Sequence, residues 1–273
     1  MRRVVLISIA ATAAILLLAV LAGLLIARSM VGEPGVERLS SVTEDLGAQR
    51  LLFVFAHPDD EITANALMRR AVAEGAHVAL YTATRGEAGT QYPPVIDQPH
   101  LGVVREAEAR KHGFDIGVGR HTVEDLGDGQ LAGRDFEDLV ARVSAEIAVA
   151  GPDTVVSFHP QSAISLHPDH MTIGRATAEA VARSDRQIDL VWVLAPRPAL
   201  NRFGGEQGAR IASLQPAPDF AVAAPARDKR RAWAIHHSQS EYLQAEYGLP
   251  PWLLYTLWTE EYYALAGEGW DRR

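Results

Sequence analysis

Apolar positions along the chain fall into two kinds of segment. The first, residues 4–27, is apolar except for Ser8, Thr12 and Gly23. As one helix these 24 residues rise about 36 Å, enough to cross a hydrocarbon core of about 30 Å with some tilt. The others are short. Leu51-Leu52-Phe53-Val54-Phe55-Ala56 is a continuous apolar run closed by His57-Pro58, the pattern of a strand buried on both faces. A helical pattern follows over 61–74, with Ile62, Ala66, Leu67, Ala71 and Val72 on one face and Gly75 as its stop. The next strand is expected over 77–84. The rhythm continues with a helix over 103–111, a short stretch at 119–123, a helix over 135–150 and the strand Thr154–Phe158. A helix over 169–183 and the strand Asp189–Leu194 come next. Residues 196–227, rich in Pro, Gly and Ala, read as an irregular excursion before a helix over 228–240. Strands alternating with helices at this spacing predict an α/β fold, Rossmann-like, with a mostly parallel sheet and helices on both faces, preceded by one N-terminal transmembrane helix.

The apolar N-terminal stretch is longer than the usual signal-peptide core, and no Ala-x-Ala site closes it, so an uncleaved anchor over 1–28 is favoured over a cleaved signal. Arg2 and Arg3 precede it and Arg28 alone follows, which favours a domain outside the cytoplasm. Residues 29–49 are polar, with Gly32, Pro34, Gly35 and Gly47, and read as a linker. The rest, 50–273, suits one domain.

Composition narrows the chemistry. With 26 Lys and Arg against 34 Asp and Glu, the formal charge is −8, and no basic run interleaved with aromatics follows a phosphate backbone. Nucleic acid is not an expected partner. The chain has no cysteine, so a metal would have to be held by His, Asp or Glu.

Two motifs supply those residues: His57-Pro58-Asp59-Asp60-Glu61 after the first strand and His167-Pro168-Asp169-His170 ahead of a helix. Loops at the carboxyl ends of parallel strands converge there. A catalytic zinc uses three N or O ligands and keeps one position open. His57, Asp60 and His170 meet that need for one Zn2+. Asp59 is then placed to take a proton from the attacking water as general base. His167 is left as a cation to stabilise the oxyanion and protonate the leaving amine, with Asp169 orienting it and raising its pKa. Glu61 favours a helix N-terminus or supports the ligands from behind. Each piece has an ordinary counterpart: a His-Pro-Asp turn, or a helix N-cap at Asp169. Their coincidence at one sheet edge favours metal binding.

These residues resemble the LmbE-like or PIG-L-type N-deacetylases. The similarity is carried by Ala56 to Glu61 and by His167 to His170, and weakly by Thr84-Arg85-Gly86-Glu87 with Gly89, Arg105 to Glu108, Asp128-Gly129, His236 and Ser238-Gln239. The resemblance implies a zinc triad on His57, Asp60 and His170, with Asp59 as base and His167 as acid. It implies sugar contacts at Arg105 and Asp128, with Glu87 supporting the ligands. From the sequence, Arg105 could equally form a helix-surface ion pair, and Asp128 could be a turn residue. The implied partner is an N-acetylated amino sugar or glycoconjugate. Two other readings stay open: a zinc hydrolase of another amide conjugate or a phosphoester, and a non-catalytic, membrane-tethered glycan-binding module. Among the remaining histidines, His112 reads as an ordinary surface or satisfied residue, and His236 as one that either nears the site or only packs.

Overall fold

The computed structural model describes residues 2–267, with the side chains of 2–5, 246 and 247 left aside, so residues 268–273 of the expected domain lie outside the described residues. In chain order the strands are β1 (Glu37–Arg38), β2 (Arg50–Phe55), β3 (His77–Thr82), β4 (Arg120–Val123), β5 (Thr154–Phe158), β6 (Asp189–Leu194), β7 (Phe220–Ala223) and β8 (Glu260–Leu265). The helices are α1 (Arg2–Val31), α2 (Val42–Asp45), α3 (Asn65–Ala73), α4 (Leu101–Ile116), α5 (Phe136–Ala150), α6 (Pro168–Ala182), α7 (Arg197–Phe203), α8 (Gly205–Leu214), α9 (Ala226–Ile235), α10 (Tyr242–Tyr247) and α11 (Pro251–Leu257). One sheet runs in the order β1-β7-β8-β6-β5-β2-β3-β4. Only β8 pairs antiparallel, with β6 and β7.

The apolar run that announced the first strand is β2, which lies between β3 and β5 at the heart of the sheet. Leu51 to Ala56 are all almost wholly buried, which is why the run shows no polar alternation. Its carboxyl end therefore points into the middle of one sheet edge. α6 crosses β5 closely enough that a Cβ on Gly174 would sit 2.3 Å from the Phe158 carbonyl oxygen. Glycine there lets the start of α6, with His170, settle over Phe158; the two rings stack at 4.4 Å.

Several elements differ from expectation. The helix expected over 61–74 begins as a 3-10 turn, Asp60–Ala64, before α3. The helix expected over 103–111 extends to 16 residues as α4. The expected excursion 196–227 contains α7, α8 and β7. β8 follows α11 and carries Glu260-Glu261 at its start, an acidic opening that hides a strand from pattern reading. Buried Glu261 accepts from the backbone N–H groups of Ala66 and Leu67 at 2.9 and 3.1 Å, at the start of α3, where a carboxylate meets the positive end of the helix dipole. The segment expected as a linker, 29–49, instead carries β1 and α2 and buries Leu39, Val42 and Ala48 in the core. Glu74 fixes it by accepting from the N–H groups of Val42 and Thr43 at 2.7 and 3.0 Å. Sparse apolar positions sufficed because each lands on an existing core.

α1 contains an apolar span, Leu6–Val31, of 26 residues with mean hydropathy 2.8. Length and composition suit a membrane crossing, and an N-terminal signal sequence meets the same test.

Candidate metal and catalytic site

The turn after β2 is shaped by its own side chains. Asp60 Oδ2 accepts from the N–H groups of Ala56 and His57 at 3.1 and 2.8 Å, folding the motif back over the strand end. Asp59 is held at φ 92°, in the left-handed region. That conformation is costly for a residue with a side chain. Glu61 supports it by accepting from the Asp59 N–H at 2.9 Å.

Three donor atoms then converge. His57 Nδ1 lies 3.0 Å from His170 Nε2 and 3.5 Å from Asp60 Oδ2, and His170 Nε2 lies 3.1 Å from Asp60 Oδ1. Tetrahedral zinc ligands about 2.0–2.1 Å from the ion stand about 3.3 Å apart, so these spacings fit one such ion. The far ring nitrogens are engaged as well. His57 Nε2 lies 3.0 Å from Asp128 Oδ1 and 3.3 Å from Asp169 Oδ2, and His170 Nδ1 lies 3.1 Å from Ser165 Oγ. Such partners fix a ligand imidazole's tautomer and orientation. Ring nitrogens of His57, His167 and His170 also cluster within 4.8 Å. His167 differs from the other two because its Nδ1 accepts from the Asp169 N–H at 3.2 Å, capping α6.

The charges follow from this packing. Burial works against the His57 imidazolium, but Asp128, Asp169 and Asp60 outweigh it and raise its pKa well above the ordinary value. Burial likewise opposes the Asp60 carboxylate, and His170 and His57 hold its pKa far below normal. Asp59 is pushed up to about 6 by burial, against the lowering effect of Arg105.

Two expected roles take a different form. Asp169 meets His167 through its backbone N–H, while its carboxylate accepts from the N–H groups of Gly129 and Leu131 at 2.7 and 3.0 Å and faces His57. The His167 pKa is not raised. Burial, then the neighbouring His170 and His57, lower it, and a proton on Nδ1 would oppose the Asp169 N–H. In the neutral ring, the tautomer that satisfies the Asp169 N–H is the one with its proton on Nε2.

The residues expected to contact sugar also have partners within the protein. Asp128 spends its carboxylate on His57 and on the Ala88 N–H, 3.1 Å away. Buried Arg105 donates to the carbonyls of Gly86 and Pro58 at 2.7 and 2.6 Å and to Asp59 Oδ2 at 3.0 Å. It is no helix-surface ion pair. Gly86, at φ 68°, makes room for it, since a Cβ there would lie 2.4 Å from the guanidinium. Glu87 Oε1 accepts from the Asp128 N–H at 2.8 Å, holding the turn that carries Asp128.

His112 and His236 have a role that sequence reasoning missed. Glu61 Oε1 lies 2.9 Å from His112 Nδ1 and 2.7 Å from His236 Nε2, and all three residues are fully buried. The signal lay in α4, where Arg105, Glu108 and His112 recur three and four residues apart on one buried face, a polar stripe aimed inward.

A family model described as PIG-L, GlcNAc-PI de-N-acetylase, matches residues 52–181. The 1D-myo-inositol 2-acetamido-2-deoxy-alpha-D-glucopyranoside deacetylase of Mycolicibacterium vanbaalenii is 33% identical over 202 residues, covering 66% of this chain and 68% of that protein. The chain belongs to the PIG-L family. The deacetylase of the same name from Streptomyces griseus is 33% identical over 160 residues, and there the match spans half of each chain, 50% and 50%. The N,N'-diacetylchitobiose deacetylase of Pyrococcus horikoshii shares the fold, with TM-score 0.61 at 18% identity over 83% of this chain and 86% of that one. The PIG-L match runs from β2 into α6 and so contains both histidine motifs, while α1, β1 and the chain beyond α6 lie outside it.

Proposed function

We propose that this protein is a zinc-dependent N-deacetylase that hydrolyses the acetamide of a GlcNAc-like sugar or glycoconjugate, with α1 anchoring it in a membrane and the domain on the extracytoplasmic side. The observation that carries the reading is the spacing of His57 Nδ1, Asp60 and His170 Nε2, with Asp59 beside them and paired to Arg105. A bound Zn2+ would polarise the amide carbonyl and make water acidic enough to react near neutral pH. Asp59 takes the proton from the attacking water as the carbon–oxygen bond forms. His167 Nε2–H donates a hydrogen bond to the carbonyl oxygen as negative charge develops there. Asp59 returns the proton to the amine nitrogen as the carbon–nitrogen bond breaks, leaving acetate and the free amino sugar. Arg105, Glu61 and the turn at Pro58 keep Asp59 in place throughout. The family membership and the deacetylases it includes support an amide as the bond cleaved.

The test is acetate release from N-acetylglucosaminides by the zinc-loaded full chain. Asp59→Ala is expected to keep one zinc and lose activity by about 10²–10⁴-fold. Undiminished turnover in that variant, or phosphate release from phosphoesters without acetate release, would overturn the assignment.

A further inference from the structure

We propose that α7 and α11 form a membrane-apposed face that holds the catalytic edge of the sheet against the lipid headgroup layer. The inference rests on reading α1 as an anchor, and adds where the domain lies relative to the bilayer. The end of α1 is clamped rather than tethered. Arg28 Nε donates to the Thr256 carbonyl of α11 at 2.9 Å, and the Arg202 guanidinium of α7 donates to the Met30 carbonyl. Two residues past the helix, Glu33 Oε1 accepts from Arg197 N at 2.6 Å, and the Glu33 N–H donates to Tyr262 Oη at 3.0 Å.

These contacts identify the edge. Arg197 follows closely on the carboxyl end of β6, and Tyr262 pairs with Leu194, the last residue of β6. β6, β5 and β2 are parallel neighbours, so α1 enters at the same edge that carries His57, His167 and His170. The opposite edge lies about 20 Å away, the rise of a six-residue strand. α8 joins the two places: Gln207 Nε2 donates to the Ser165 carbonyl at 3.0 Å, and Ser165 Oγ lies 3.1 Å from His170 Nδ1.

The surface beside the anchor suits the headgroup region. Phe203 on α7 is 67% exposed and Trp252 on α11 is 61% exposed. Either alone would be ordinary. Here both flank an apolar helix at the level where it would leave the hydrocarbon, the depth at which aromatic and basic side chains are favoured. With Arg197 paired to Glu33 at 3.2 Å, Arg202 and Arg210 on α7 and α8 stand against Glu206, a balance that complements anionic headgroups.

The cysteine-free sequence allows one fluorophore at a time through Phe203→Cys, Trp252→Cys or, as control, Phe114→Cys. Phe114 is 88% exposed near the end of α4, where the following turn bonds to Val78 at the start of β3 on the far edge. The full chain is placed in phosphatidylcholine–phosphatidylglycerol vesicles, with and without lipids brominated near the headgroup. The expected result is a several-fold loss of emission at 203 and 252 and none at 114. Vesicles that carry the chain but leave 203 and 252 as bright as 114 would overturn the membrane-apposed face while the anchor stands. A chain that fails to float with vesicles would overturn both.

Discussion

Asp60 and Glu61 are adjacent carboxylates, and each gathers two histidines, yet the clusters do opposite things. Around Asp60 the rings of His57 and His170 turn one nitrogen each toward a common point and engage the other elsewhere. Around Glu61 the rings of His112 and His236 spend their carboxylate-facing nitrogens on the acid itself, at 2.9 and 2.7 Å, with no exposed surface. By distance alone either Glu61, His112 and His236 or the His57 group could receive an ion. Access separates them. The His170 side chain keeps 12% of its surface open at the strand-end loops, whereas Glu61, His112 and His236 are sealed with no exposed surface and Glu61 braces Asp59 from behind. Burial opposes the Glu61 carboxylate, but His236 and His112 hold it ionised, with its pKa far below normal, and the pKa of His236 is raised in return.

The comparison can be broken at the ligand first. His57→Ala is expected to abolish stoichiometric zinc binding and reduce acetate release to background, read by metal analysis of the dialysed protein beside the assay. Full zinc occupancy in that variant would move the metal site elsewhere. The brace should fail differently. Glu61→Ala leaves His236 buried without its counter-charge and should cost about 3–5 kcal/mol in urea unfolding, while the folded fraction still takes up zinc. If Glu61→Ala instead unfolds at the wild-type midpoint but no longer binds zinc, Glu61 belongs with the ligands. A third carboxylate sets the lower end of the scale. Glu74, whose side chain is 22% exposed, is held at a pKa of about 2; burial works against this, and bonds from Thr43, Arg70 and Ser41 outweigh it. Because folding lowers its pKa from the ordinary 4.5, its stabilisation is complete above that pH and is lost as pH falls toward 2. Glu74→Gln should cost about 1–3 kcal/mol at pH 7, with the difference from wild type closing in acid. A difference that is unchanged at pH 3 would mean that the charge contributes nothing.

Much of the fold and of the site around Asp60 could be read in advance, though unevenly. The apolar run of β2 and the two histidine motifs identified a parallel sheet with chemistry at one edge, because buried central strands and strand-end loops leave dense local patterns. Asp169 shows the limit. Its position before His170 suggested service to His167, yet its carboxylate reaches Gly129, Leu131 and His57. Arg105 and Asp128, read toward a sugar, also meet Asp59 and His57, which the sequence did not indicate. A residue's type and neighbours say which bonds it can make, while the partner it takes depends on chain brought from 38 or more positions away. β8 and the packed segment 29–49 were missed for a related reason: short, polar-flanked elements are held by an existing core and by single caps such as Glu74 and Glu261, which no local periodicity records.

The sequence by itself determined the chemical inventory: an apolar N-terminal span, no thiol ligands, and acidic histidine motifs at the ends of predicted strands. These are properties of composition and short-range order. Only the tertiary structure decided which partner each imidazole nitrogen meets, that His167 Nδ1 faces the Asp169 N–H, that Glu61 faces inward, and that α1 enters beside the edge that carries the two histidine motifs. Each of those depends on distance and orientation between segments remote in sequence, where electrostatic and hydrogen-bond energies change sharply within an ångström or two.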